Sequence, residues 1–121
     1  MITNVKFVSI PTSDQDRALK FWTEVAGFKL LTDQPFDDNQ RWIELRIGSS
    51  DTRFVLFKFD RSVMQPGGNF NGALACDNVE RTHEELAAKG VEFVAPPTKQ
   101  PWGTFAIFKD VDGNQFVLSS R

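Results

Sequence analysis

Glu44 and Arg46 stand two residues apart in "RWIELRI", and Arg53 opens the next apolar run, "RFVLFKF". Side chains alternate across a strand, so Glu44 and Arg46 share a face. The turn Ser49-Ser50-Asp51 between the runs brings Arg53 beside them. Such a set could hold an anionic or carbonyl group on Arg46 or Arg53 while Glu44 takes a proton, desolvation being what makes a carboxylate a base near neutrality. The same residues suit a cross-strand ion pair at a cavity mouth or sheet edge.

The other reactive side chains are isolated. His83 is the single histidine, in "VERTHEEL". It lies four residues after Val79 and three before Leu86, on the inner stripe of a helix or its edge, where a packed imidazole is expected rather than a ligand or base. Cys76 is the single cysteine, so no internal disulfide can form. It reads as a buried, inert thiol on the same face as Leu74, with no base to activate it.

The elements that position these groups repeat. "VKFVSIPTSD" reads as a strand stopped at a proline, with Ser13 or Asp14 capping a helix over "QDRALKFWTEVAGF". On it Ala18, Phe21, Trp22 and Val25 form one apolar stripe, and Gly27 ends it. "FKLLT" is a short strand, followed by "RWIELRIGS" and "TRFVLFKFD". The second half repeats the β-α-β-β-β order: "NGALAC", a cap at Asp77 or Asn78, "VERTHEELAAKG" ending at Gly90, "VEFVA", and "TFAIFKD" paired with "NQFVLSS" across Asp112-Gly113-Asn114. Asp16-Arg17 and Glu80-Arg81 correspond at an offset of 64, and Gly27 and Gly90 at 63. A repeat of this kind decides the architecture. The fold class is α+β: a first βαβββ module over 1–60, a linker over 61–70 centred on Pro66-Gly67-Gly68, and a second module over 71–121.

Alternation then assigns faces. Ile43, Leu45 and Ile47, Phe54 and Leu56, Ala106 and Phe108, and Phe116 and Leu118 face the helices. The far face carries Phe7, Ser9, Trp42, Arg53, Val55, Phe57, Phe105 and Val117 with Glu44 and Arg46. Apolar walls with a few charges suit a small-molecule site, and equally a face buried against the other half or a second subunit. Trp102, between Pro101 and Gly103, is presented from a loop, as a lid over a planar ligand or as a plug.

The net charge of −2 lacks the basic footprint of a nucleic-acid binder. No apolar stretch reaches the length of a membrane span, and "MITNVKFVSIP" lacks a secretory signal, so a cytoplasmic setting without a membrane partner is expected. With 12 Phe, 3 Trp and no Tyr, the aromatic content favours apolar packing and stacking over phenol chemistry.

The stretches "FVSIPTSDQDRALKFWTEVAGFKL", "DNVERTHEELAAKGVEFVAPP" and "QPWGTFAIFKDVDGNQFVL" resemble the glyoxalase / bleomycin-resistance / extradiol-dioxygenase, or vicinal oxygen chelate, superfamily. The resemblance covers nearly the whole chain. It implies paired βαβββ modules whose curled mixed sheets surround a cavity, pairing either within the chain or across a homodimer. It also implies, in the chelating members, a divalent ion held by His or Gln on the first strand of each module and Glu near each module's end. The matching positions here are Phe7, Asn71, Val55 and Val117. Phe and Val offer no donor atom and a lone Asn is a poor ligand, so no metal and no cofactor are expected.

The resemblance therefore implies a metal-free pocket for an apolar or aromatic small molecule, lined by the far-face residues with Asn71 and Trp102. A glyoxalase-type lyase or isomerase, or a dioxygenase-like enzyme, would need a non-standard metal site or Glu44 as base. A third possibility is a module that serves only assembly.

Overall fold

A computed structural model of the chain describes residues 1–58 and 66–121. They form two compact units, Met1–Pro66 and Gly67–Arg121. Half of the expected linker, residues 61–65, lies outside the described residues.

The first unit runs β1 (Phe7–Thr12), α1 (Gln15–Lys20) continuing as a π-helical segment (Phe21–Val25), β2 (Lys29–Asp37), β3 (Gln40–Arg46) and β4 (Arg53–Lys58). Its open sheet has the order β1-β4-β3-β2, with β1 parallel to β4 and the other pairs antiparallel. The second unit runs β5 (Asn69–Ala75), α2 (Val79–Ala88), β6 (Phe93–Gln100), β7 (Gly103–Lys109) and β8 (Gln115–Ser120). Its order, β5-β8-β7-β6, is the same, again with one parallel pair. In each unit a helical crossover makes the parallel pairing possible. The α+β repeat read from the sequence is therefore present as two four-stranded mixed sheets.

The helix boundaries follow local chemistry. The Asp14 side chain accepts from the Arg17 N–H at 3.1 Å, and Asn78 accepts from Arg81 N–H at 2.8 Å. These resolve the alternatives with Ser13 and Asp77. Gly27 and Gly90 follow the helices at φ 81° and 90°, a conformation that other residues adopt at a cost. Phe21–Val25 departs from the regular helix expected: the Ala26 N–H donates to the Phe21 carbonyl at 3.0 Å, one residue beyond the α pattern. Two consecutive large aromatics, Phe21 and Trp22, are both buried there, and Val25 is only half-buried.

Three strands exceed the sequence reading. β1 continues through Pro11, which an edge strand tolerates because its missing N–H can lie on the unpaired side. β2 runs on through Pro35 to Asp37 for the same reason. β6 passes Pro96 and Pro97 to Gln100, and it too is an edge.

The first core gathers Trp22, Phe28 and Phe54, whose ring centroids lie 4.9–5.4 Å apart, with Ile10, Ile43, Leu45 and Leu56. Gln15 ties α1 to the sheet. Its Nε2 donates to the Arg41 and Leu56 carbonyls at 2.8 and 3.0 Å, and its Oε1 accepts from Arg41 N at 3.0 Å. The second core contains Val79, Val91, Ala106, Phe108, Phe116 and Leu118. His83 packs edge-on to Phe93 at 4.4 Å on the helix side, as a packed imidazole should. Cys76 is half-buried, more open than the buried thiol expected.

The β7–β8 turn is built on a buried carboxylate. Asp110 Oδ1 accepts from the Asp112 and Asn114 N–H groups, and Oδ2 accepts from Asn114 Nδ2, all at 2.9 Å. Burial pushes the Asp110 carboxyl above its ordinary pKa, against the lowering effect of these bonds.

Candidate functional site

The far face of the first sheet is ordered by register into rows. Lys29, Arg46, Arg53 and Phe7 stand side by side on β2, β3, β4 and β1. The next row is Thr32, Glu44, Val55 and Ser9. Beyond it lie Gln34 and Trp42, with Phe57 beside Pro11. Eight of the residues singled out from the sequence are therefore brought onto one surface: Phe7, Ser9, Trp42, Glu44, Arg46, Arg53, Val55 and Phe57.

An aromatic cluster floors this surface. Phe7 meets Trp42 edge-to-face at 5.5 Å and 89°. Trp42 meets Phe57 at 5.9 Å, and Phe36 adds contacts to both at 6.0 Å. Phe7 and Trp42 lie on the strands flanking β4, so their rings meet over Val55, which is fully buried. Phe36, 60% exposed, was missed because the sequence reading ended β2 before it. Lys29 was missed because only pairing register reveals it.

The charges are unevenly matched. Glu44 Oε2 lies 3.4 Å from Arg53 Nη1, a diagonal cross-strand pair. This is the ion-pair arrangement allowed by the sequence. Arg46 directly opposes Arg53, and its Nε is buried with no hydrogen-bond partner among the described residues.

In the second unit, Phe105 and Val117 lie half-buried on the far face of β7 and β8. β7 and β8 alternate fully buried and half-buried positions, so Phe116 and Leu118 cover the helix while Val117 faces away. Trp102, 59% exposed, stacks on Phe105 at 6.0 Å and 24°. Asn71 is exposed on β5 where its register with β8 shifts.

Among the described residues no group of three or more His, Cys, Asp or Glu side chains could hold a metal. At the positions matched to the chelating ligands, Phe7 is engaged with Trp42, Val55 is buried, and neither they nor Val117 has a lone pair to give. The donor set does not fit the ion that chelating members bind.

Comparison with known proteins agrees with this architecture. Residues 4–118 match the profile of the Glyoxalase/Bleomycin resistance protein/Dioxygenase superfamily. The chain is 33% identical over 120 residues to the uncharacterized protein YetH of Bacillus subtilis (strain 168), covering 98% of each. It is 31% identical over 115 residues to a probable chloroplastic lactoylglutathione lyase of Arabidopsis thaliana, covering 89% of this chain but 33% of that one. Among solved structures it resembles TnmS3, an antibiotic binding protein from Streptomyces sp. CB03234, at 34% identity and TM-score 0.86, over 98% of this chain and 95% of that one. It also resembles a superfamily member from Sphaerobacter thermophilus DSM 20745 at 30% identity and TM-score 0.91, over 99% and 98%. The chain belongs to the Glyoxalase/Bleomycin resistance protein/Dioxygenase superfamily.

Proposed function

We propose that the protein binds an apolar or aromatic small molecule without a metal, on the far face of its first sheet. The observation that carries this reading is the ring cluster of Phe7, Phe36, Trp42 and Phe57 occupying a face whose metal-ligand positions lack donor atoms. Phe36 is exposed and Trp42 half-buried, so planar ring surface is available for stacking. The likeness to an antibiotic binding protein of similar length supports binding rather than turnover. A homodimer is the assembly that accompanies this reading, and the cytoplasm its setting; no helix among the described residues is long and apolar enough to cross a membrane.

The test is a panel of planar aromatic compounds followed by tryptophan fluorescence and melting temperature. Binding should quench fluorescence and raise Tm, and Trp42→Ala should abolish both effects. Elemental analysis showing stoichiometric bound metal in the purified protein would overturn the metal-free reading. Sedimentation analysis checks the dimer.

A further inference from the structure

The row at one end of the ring floor is cationic across three adjacent strands: Lys29, Arg46 and Arg53 are register partners on β2, β3 and β4. Like charges placed directly opposite one another are destabilising unless something neutralises them. Glu44 neutralises one charge, through Arg53. Neither Lys29 nor Arg46 has an ion-pair partner among the described residues. Arg46 also keeps a buried Nε–H with no acceptor. A buried donor left unpaired is costly, and guanidinium is suited to planar, two-oxygen acceptors. The Nε itself is sealed from solvent, so what the face offers a ligand is a surplus of positive charge at Lys29 and on the guanidinium of Arg46.

Its geometry fits one molecule spanning both features. Phe7 is in the row of Arg53, and Trp42 lies four residues along β3 from Arg46, about 13 Å at the rise of a strand. Resting on the binding reading above, we infer that the ligand is an amphipathic anion. Its planar apolar body lies on Phe7, Trp42 and Phe57, and its carboxylate or phosphoryl group accepts from Arg46 beside Lys29.

The test is calorimetric titration with four matched probes: 2-naphthoate, 2-naphthyl phosphate, 2-naphthamide and 2-naphthylmethylammonium. Both anions should bind about tenfold or more tightly than the neutral amide, and the ammonium weakest. The tighter anion identifies which oxyanion the row prefers. Raising salt from about 0.05 M to about 0.5 M should weaken the anions and leave the amide unchanged. Arg46→Met should erase the anion preference, while Arg46→Lys keeps the charge but not the planar guanidinium fork and should restore part of it. Lys29→Met, at an exposed position, should reduce the preference even if Arg46→Met fails to fold. If the amide binds as tightly as naphthoate, the anion inference fails and the binding reading stands. If none of the probes binds, the binding reading fails and this inference with it.

Discussion

Phe7 and Trp42 meet edge-to-face at 5.5 Å across the strand that separates them, closing over the fully buried Val55. The contact joins β1 to β3 without a backbone hydrogen bond between them, since β4 lies in the middle. A double-mutant cycle with Phe7→Leu and Trp42→Leu should give a coupling energy of about 0.5–1.5 kcal/mol. Urea unfolding of the four proteins measures it. Additive effects would mean that the rings lie near one another without supporting one another.

Gln15 is a buried amide whose three bonds engage backbone groups of β3 and β4. Gln15→Leu keeps the approximate volume and leaves the Arg41 N–H and two carbonyls short of a partner. The expected loss is about 2–3 kcal/mol of stability, read by chemical denaturation. An unchanged midpoint would show that water replaces the amide at no cost.

The Asp110 carboxylate presents a different balance. Burial raises its pKa, so replacement by a neutral group removes a desolvation cost. Both of its oxygens accept bonds, however, and Asn114 cannot turn its amide over, because its Oδ1 accepts from Gly67 N at 2.8 Å. Asp110→Asn therefore sets an NH₂ group against a donor. The lost bonds outweigh the relieved burial, and the variant should be less stable by about 1–3 kcal/mol. A more stable variant would reverse that ranking.

Asp33 gives the fold a pH dependence whose sign follows from its partner Arg41. Its hydrogen bonds and charge contact with Arg41 hold its pKa below the ordinary 3.8. A depressed carboxylate stabilises the fold above its unfolded pKa, and that contribution is lost as pH falls through the folded value. The stability difference between the protein and Asp33→Asn should therefore be full above about pH 5 and shrink steadily below pH 3.8. Equilibrium unfolding of both proteins over the acid range measures it. A difference that grows toward low pH would contradict the assignment.

Much of this molecule is legible residue by residue. The caps Asp14 and Asn78, the helix-ending Gly27 and Gly90, and the alternation in "RWIELRI" and "QFVLSS" are local signals, because capping and two-residue periodicity depend on near neighbours. The recurrence of caps and glycines at offsets of 64 and 63 residues determined the repeated βαβββ order, and alternation placed Phe7, Trp42, Glu44, Val55 and Phe57 on the face away from the helix. The absence of donor atoms at Phe7, Val55 and Val117 was equally a matter of residue type. The tertiary structure decided what depends on pairing. Strands passed through Pro11, Pro35, Pro96 and Pro97 because those strands became sheet edges. Phe36 joined the ring floor because β2 runs on past Pro35, and Lys29 came beside Arg46 and Arg53 because register aligns residues far apart in the chain. Periodicity assigns a side chain to a face, but only the hydrogen-bonded register selects its neighbours there.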